Sequence, residues 1–343
     1  MSDTHIRKHG RAGQITLTRP RALNALTYDM CMAIEAALDA WRDDVTVDLV
    51  ILDAEGEKAF CAGGDIAEIY RAGLSGDFDA GRDFWRDEYR MNAKLADYPK
   101  PIVSFLHGFV MGGGVGLGGH VSHRVIGESA QIAMPECGIG FVPDVGGSLL
   151  LARAPGRLGA YLGLTAARMG PGDALHAGFA DLFVPEARWE ALKSELAETG
   201  SVSALDAAAG PAPESPLAAA QGEIDTLFAS DSLPEIKAAL DAAEGEIAAR
   251  AAKAVGRNAP LSMAVTLAML ARLREGTPDI RRALEQEYRV SHRIVEEGDF
   301  LEGVRAQIID KDRNPSWRFP IEEVTEDRIA AMLASLGEAE LAL

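Results

Sequence analysis

The stretch His107-Gly-Phe-Val-Met-Gly-Gly-Gly-Val-Gly116 gives the strongest indication of how this chain folds. It follows an apolar run, Pro101-Ile-Val-Ser-Phe-Leu106, that is typical of a buried strand. The glycines Gly112 to Gly114 then open a short helix, which predicts a tight turn from strand to helix. Backbone N–H groups at the start of a helix have no intrahelical acceptor and carry the positive end of the helix dipole, so such a turn can bind an anionic oxygen.

A second interpretation of these glycines is a dinucleotide-binding turn. Gly114-Val-Gly-Leu-Gly-Gly119 fits the pattern G-x-G-x-x-G, and Glu136 follows at a suitable distance for a ribose-binding acid. Only about two helical turns fit before the apolar run Arg124-Val-Ile126, and such a helix is short for the crossover of that fold. We therefore favour an oxyanion-binding role for Gly113, a role that requires a second donor.

The segment Phe60-Cys-Ala-Gly-Gly-Asp65 offers that second donor on another strand-to-helix turn. Here Gly64 presents its backbone N–H, and Asp65 is a suitable N-cap for the helix that follows. Two such donors would form an oxyanion hole, which stabilises the negative oxygen that develops when a carbonyl is attacked.

Short apolar strands alternate with helices in the N-terminal part of the chain. The hydrophobic pattern predicts strands at 14–18, 47–52, 101–106, 123–127 and 130–133. Thr27 is a good N-cap for a helix at 28–42, and a second long helix is predicted at 81–97. This alternation indicates an α/β fold with a parallel or mixed sheet, and strands this short favour a coiled, spiral arrangement.

Three regions are predicted along the chain. We expect an α/β core at 1–199, a linker or irregular segment at 200–231 and a helical region at 232–343. The middle region is inferred from its richness in Ala, Ser, Gly and Pro, and the last from apolar residues at helical spacing.

Charge and cysteine content limit the partners and the location of the chain. With 34 basic and 52 acidic side chains, its 343 residues carry a net charge of −18, which argues against nucleic acids and anionic membranes as partners. Its three cysteines have no C-x-x-C spacing, and no histidine pattern matches a zinc site. We expect no metal, no signal peptide, no membrane span and a reducing, cytoplasmic location.

The chain resembles the crotonase superfamily, which contains the enoyl-CoA hydratases and isomerases. Four segments carry the resemblance and occur in the order of that superfamily: 20–26, 59–65, 107–116 and 134–136. The resemblance implies a ββα spiral core that binds acyl-CoA thioesters. Within the superfamily, the segments 134–147 and 303–317 and the long helical C-terminal region are most similar to the 3-hydroxyisobutyryl-CoA hydrolases, which are thioester hydrolases of valine catabolism.

This resemblance implies roles for individual residues. Gly64 and Gly113 match the two oxyanion-hole positions, and Glu136 matches the catalytic carboxylate. Asp144 matches the second acid of the hydrolases, and Glu88 matches a substrate-facing acid, so the acyl group would meet Glu88, Gly113, Glu136 and Asp144. The implied CoA-binding residues are Arg21, Ala22, Leu23, Ala25, Ala62, Gly64, Asp65 and Ile66. No cofactor is implied beyond the CoA of the substrate, and assembly into a homo-oligomer is common in the superfamily.

One departure from the superfamily pattern concerns the reaction. Hydratases of this superfamily carry a second catalytic glutamate three residues after the oxyanion glycine, and here that position is Gly116. The departure favours hydrolysis, in which Glu136 either activates a water or attacks the carbonyl itself. Two alternatives remain open, namely an enoyl-CoA hydratase or isomerase and an acyl-CoA-binding protein without catalytic activity.

Overall fold

The computed structural model describes residues 3–343, and its strands form two sheets. One sheet has six strands in the order β1-β2-β3-β5-β7-β9, and the other has three in the order β4-β6-β8. The strands are β1 Thr4–His9, β2 Ala12–Leu17, β3 Leu49–Ala54, β4 Ala59–Cys61, β5 Ile102–Leu106, β6 Phe109–Met111, β7 His123–Ile126, β8 Gln131–Ala133 and β9 Leu182–Phe183.

The topology is a spiral in which successive strands are assigned to the two sheets in turn. Strands β3 to β9 alternate between the six-stranded and the three-stranded sheet. All neighbours are parallel except β1 and β2, which pair antiparallel. The predicted α/β spiral is therefore confirmed. The pattern did not predict β1, β4, β6 and β9, of which the last three have at most three residues.

Helices account for most of the remaining residues. They are α1 Tyr28–Arg42, α2 Ala67–Leu74, α3 Asp79–Ala96, α4 Gly113–Gly118, α5 Gly147–Arg153, α6 Leu158–Thr165, α7 Pro171–Ala177, α8 Trp189–Thr199, α9 Ala204–Ala208, α10 Pro216–Ala219, α11 Gln221–Leu227, α12 Leu233–Ala242, α13 Glu246–Val255, α14 Pro260–Arg274, α15 Ile280–Glu297, α16 Phe300–Val304 and α17 Glu326–Met332. Within residues 3–343, none of them combines the length and apolarity of a bilayer-spanning segment.

The contacts group the described residues into two compact units, each built from three stretches of chain. Unit 1 comprises 3–64, 90–133 and 168–216, and unit 2 comprises 65–89, 134–167 and 217–343. This grouping differs from the continuous division at 1–199, 200–231 and 232–343, because 65–89 and 134–167 pack with the C-terminal helices. The segment 200–231, predicted as a linker or irregular, contains the short helices α9, α10 and α11.

Each unit has its own apolar core. In unit 1, helix α8 covers the larger sheet through Trp189, Leu192 and Leu196, which join the buried residues of β3, β5 and β7. In unit 2, Trp85 stacks on Phe141 with ring centroids 4.9 Å apart, and Phe300 meets both rings edge-on. The packing of Phe141 in this aromatic cluster anchors the segment between Glu136 and Asp144, two acidic residues described below.

Candidate active site

The turn between β6 and α4 in unit 1 has the geometry predicted from its glycines. Gly112 has φ of 48° and ψ of −118°, and Gly113 is the first residue of α4. The N–H of Gly113 therefore has no intrahelical acceptor. A Cβ added at Gly114 would lie 2.2 Å from the carbonyl oxygen of Cys61, so this position accepts only glycine. Because α4 has only six residues, the dinucleotide interpretation is wrong.

Gly64 follows β4 and forms a parallel bridge with Leu26. The N–H of Leu26 donates to the carbonyl of Gly63, over 2.9 Å, and Gly63 has a φ of +117° that favours glycine. Helix α2 begins at Ala67 with Ile66 at its N-cap position and no side-chain cap. The prediction that Asp65 is the N-cap is therefore wrong, because the bridged, extended backbone at Gly64 delays the start of the helix.

The loop before α1 carries four of the predicted CoA-binding residues and is held by Asn24. The fully buried amide of Asn24 donates to the carbonyls of Ala59 at 2.8 Å and Glu55 at 2.9 Å. Leu23 and Asn24 both adopt left-handed φ values, 52° and 55°. We assigned no role to Asn24 from the sequence, although asparagine tolerates this conformation better than most residues.

A surface cavity of about 480 Å³ lies beside this loop in unit 1. It is lined by Pro20, Arg21, Leu23, Glu55, Gly56, Glu57, Lys58 and Ala59. Arg21 and Leu23 are thus the two predicted CoA-binding residues on its wall. The other predicted CoA-binding residues are Ala22, Ala25, Ala62 and Gly64 in unit 1 and Asp65 and Ile66 in unit 2. Lys58 adds a cation that we did not predict.

Glu136 opens a turn of 3-10 helix, Glu136–Ile139, directly after the Met-Pro dipeptide. Gly140 ends this turn with a φ of +70°, and a Cβ there would meet the carbonyl oxygen of Asp299 at 2.3 Å. The side chain of Glu136 is 5% exposed, and its Oε2 has no hydrogen-bond partner. Burial and the nearby charge of Asp144 raise the pKa of the Glu136 carboxyl well above its usual range.

Asp144 and Glu88 complete a group of buried acids in unit 2. The hydroxyl of Tyr89 donates to Oδ2 of Asp144 over 2.8 Å. Burial, followed by the charge of Glu287, raises the pKa of Asp144 to about 8. Glu88 is 2% exposed with Oε1 unpaired, and burial and the charge of Asp144 raise its pKa. The structure thus brings together Glu88, Glu136 and Asp144.

Glu287 of α15 is a further buried acid in this group, and we did not predict it. Its Oε2 accepts from the N–H of Gly146 at 2.7 Å, and its Oε1 accepts from the N–H of Ser148 at 3.1 Å and from the hydroxyl of Ser148. Burial raises its pKa to about 7 in spite of these three donors. No local sequence signal identifies this residue, because its partners lie 139 to 141 residues away.

This acid group favours proton exchange over nucleophilic catalysis by cysteine. Several carboxyls that repel one another cannot all ionise near neutral pH, so the group retains protons and its ionised members are strong bases. Burial raises the pKa of the Cys137 thiol to about 12, which makes it a poor nucleophile. Among residues 3–343, no three His, Cys, Asp or Glu side chains are grouped to hold a metal.

Known proteins resemble this chain over its whole length. The family model described as enoyl-CoA hydratase/isomerase matches residues 12–333. A mitochondrial 3-hydroxyisobutyryl-CoA hydrolase of Xenopus tropicalis is 38% identical over 98% of this chain and 90% of its own. A structure titled as an enoyl-CoA hydratase of Rhodobacter sphaeroides is 56% identical, with a TM-score of 0.96 and complete coverage of both chains. A structure titled as a carnitinyl-CoA dehydratase of Mycobacterium thermoresistibile is 40% identical, with a TM-score of 0.95, covering 100% of this chain and 99% of that one.

The name of the Xenopus tropicalis relative contradicts the expected cytoplasmic location. That relative is mitochondrial, as are the similar hydrolases of Danio rerio and Homo sapiens. The prediction was wrong because it rested on the cysteines. Three free, buried cysteines indicate a reducing compartment, but they do not distinguish the cytosol from the mitochondrial interior.

Proposed function

Because this chain belongs to the enoyl-CoA hydratase/isomerase family, we propose that it is an acyl-CoA thioester hydrolase that acts on 3-hydroxyisobutyryl-CoA. The observation that carries the proposal is the buried Glu136 carboxyl, which has one unpaired oxygen and lies near Asp144. The similarity to relatives named 3-hydroxyisobutyryl-CoA hydrolase, over 98% and 100% of this chain, supports the proposal. With that substrate, the enzyme would act in valine catabolism.

The Gly64 and Gly113 backbone N–H groups are proposed to bind the carbonyl oxygen of the thioester. Attack on the carbonyl carbon moves negative charge onto this oxygen, and each well-placed donor lowers the barrier by about 3 kcal/mol. The structural support is that Gly113 is the first residue of α4 and has no side chain to block a close approach.

Glu136 is proposed to act on the carbonyl carbon by one of two routes. As a general base, its carboxylate takes a proton from the water that attacks, and the tetrahedral intermediate then expels the CoA thiolate, which is protonated. As a nucleophile, Glu136 expels the thiolate itself and forms a mixed anhydride, which water then hydrolyses. Both routes consume one water and yield a free acid and CoA thiol.

The oxygen of that water reveals the nucleophilic route when water attacks the Glu136 carbon of the anhydride, whereas attack on the acyl carbon labels the product acid as the base route does. In a single turnover in water labelled with heavy oxygen, the base route places the label in the product acid only. If Glu136 forms the anhydride and water attacks the Glu136 carbon, the label appears in the peptide that contains Glu136. Mass spectrometry of that peptide and of the product distinguishes the two results.

Glu88 and Asp144 are proposed to recognise the acyl group. The unpaired Oε1 of Glu88 is a buried acceptor that lacks a partner in the free protein, and the 3-hydroxyl of the substrate can supply the missing donor. Asp144 acts in its ionised form, and its carboxylate orients this hydroxyl or the attacking water. A site that is built to bind a hydroxyl discriminates strongly against an analogue that lacks one.

The alternative function is hydration, which the similarity to an enoyl-CoA hydratase and a carnitinyl-CoA dehydratase favours. Against it stands Gly116, which is buried in α4 and has no side chain at the position where the hydratases carry a catalytic glutamate. A second alternative is an acyl-CoA-binding protein, which would bind both esters without turning over either.

Thiol release and hydration, measured side by side, test these functions. We expect thiol release from 3-hydroxyisobutyryl-CoA, slower release from isobutyryl-CoA, which lacks the hydroxyl, and no hydration of crotonyl-CoA. Hydration of crotonyl-CoA without thiol release from the first ester would refute the hydrolase proposal. Dissociation constants for the same esters identify a protein that only binds them.

A further inference from the structure

We propose that Glu287 is a positioning residue that holds the turn carrying Asp144, an inference that rests on the proposed function of Asp144. Glu287 lies in the middle of α15, has no exposed surface and belongs to unit 2, as Asp144 does. Neither carboxyl oxygen of Glu287 is available to a substrate, because both accept hydrogen bonds from the protein. Glu287 therefore acts indirectly, through the residues that it binds and through its charge, which raises the pKa of Asp144.

The turn after Asp144 needs such support because its backbone is strained. Val145 has φ of 52° and Gly146 has φ of 80°, so two successive residues have a left-handed backbone conformation. This conformation is unfavourable for a β-branched residue, and it persists only where the surroundings hold it. Within the turn, the N–H of Gly147 donates to the carbonyl of Asp144 at 2.6 Å.

Glu287 supplies the cap that helix α5 lacks locally. The N-cap residue is Gly146, which has no side chain to accept from the first N–H groups of the helix. The carboxyl of Glu287 accepts from the N–H groups of Gly146 and Ser148 and from the Ser148 hydroxyl. Three donors on one buried carboxyl fix the start of the helix and the turn before it.

This arrangement leaves the side chain of Asp144 available for the substrate. Asp144 lies two residues before the N-cap residue Gly146, and Glu287 provides the cap. The side chain of Asp144 accepts from the Tyr89 hydroxyl at 2.8 Å. The charge of Asp144 raises the pKa values of Glu88 and Glu136, so the turn held by Glu287 sets where Asp144 lies relative to these two acids.

A double-mutant cycle with Glu287→Gln and Asp144→Asn tests the proposal. Glutamine keeps the size of the side chain but places an NH₂ group against one of the donors. Because a displacement of about 1 Å can cost a catalytic group about 10²-fold, we expect Glu287→Gln to lower kcat by about that factor in the wild type. In the Asp144→Asn protein it should have less than about a twofold effect, since the group that it positions is gone. Equal losses in both backgrounds would overturn the proposal.

Two controls accompany the cycle. Glu285→Gln removes a carboxyl from the partly exposed face of the same helix, and kcat should not change. If Glu287→Gln does not fold, Ser148→Ala removes one of the three donors, and the same cycle with Asp144→Asn applies. A loss of kcat from Ser148→Ala that persists undiminished in the Asp144→Asn protein would also overturn the proposal.

Amide hydrogen exchange separates this inference from the proposed function. In the folded wild-type protein, the N–H groups of Gly146 and Ser148 should be protected. Glu287→Gln should remove the protection of at least one of them, because glutamine keeps a single acceptor oxygen. If the wild type releases no thiol from any acyl-CoA, the proposed function fails while this measurement still tests whether Glu287 holds the turn. Protection that is unchanged in Glu287→Gln would refute the inference even in an active hydrolase.

Discussion

Replacing Asp144 with asparagine should change how the stability of the protein depends on pH. The pKa of Asp144 is raised from 3.8 to about 8, mainly by burial. The folded protein therefore keeps this proton over a pH range in which the unfolded chain has lost it. The free energy of unfolding must then fall as the pH rises through that range, because folding has to take up a proton that becomes scarcer.

The size of this effect follows from the shift. Each unit of pKa difference corresponds to about 1.4 kcal/mol. Between about pH 5 and about pH 8, the folded protein keeps the Asp144 proton and the unfolded chain does not. This range spans about three pH units, so the free energy of unfolding of the wild type should fall by about 4 kcal/mol across it. Asparagine cannot ionise, and it can still accept from the Tyr89 hydroxyl, so the Asp144→Asn protein should be more stable than the wild type at about pH 9.

Urea unfolding of both proteins at about pH 5 and about pH 9 measures this difference. The matched control is Asp206→Asn, which removes a carboxylate that is exposed and should leave the pH dependence of stability unchanged. If the difference in unfolding free energy between the Asp144→Asn protein and the wild type is the same at both pH values, Asp144 does not carry a burial penalty. The acid group would then not hold a proton at the expense of stability at high pH.

Three further changes test other parts of the site. Glu136→Gln should lower turnover by about 10²- to 10⁴-fold in a protein that still folds, because an amide neither takes the proton nor attacks the carbonyl. Full turnover would exclude Glu136 from catalysis. Tyr89→Phe removes a hydrogen bond that lowers the pKa of Asp144, so the pH of half-maximal kcat should move upwards, and a downward shift contradicts this reasoning. Gly114→Ala would place a Cβ 2.2 Å from a carbonyl oxygen of β4, so soluble folded protein should be lost. In Gly222→Ala nothing lies within 4 Å of the added atom, and equal yields of the two proteins would refute the prediction for Gly114.

The parts of the fold that could be predicted from the sequence depend on local chemistry. Helix α1 runs from Tyr28 to Arg42 as predicted, because the Thr27 side chain accepts from the N–H of Met30 and the apolar residues face one side. The start of α4 at Gly113 followed likewise from glycines after a strand. These signals act within a few residues and need no knowledge of the rest of the chain.

The parts that could not be predicted depend on contacts between distant residues. Asp65 does not cap α2, because Gly64 forms a bridge with Leu26, which belongs to another segment of the chain. Glu287 caps α5 because α15 lies against the start of that helix. Nothing in the sequence of either helix indicates this contact. The assignment of Glu136 and Asp144 as catalytic acids came from the resemblance to the crotonase superfamily. Their burial and mutual repulsion became visible only in the structure.

Hydrolysis and hydration place an oxygen atom from water at different positions in the product. Purified protein would be incubated with 3-hydroxyisobutyryl-CoA in water labelled with heavy oxygen, and the products would be analysed by mass spectrometry. A thioester hydrolase yields CoA thiol and 3-hydroxyisobutyrate with the label in its carboxylate, and we predict this result. Intact CoA ester that has lost its hydroxyl, or that carries the label on it, would show dehydration and hydration and would contradict the account.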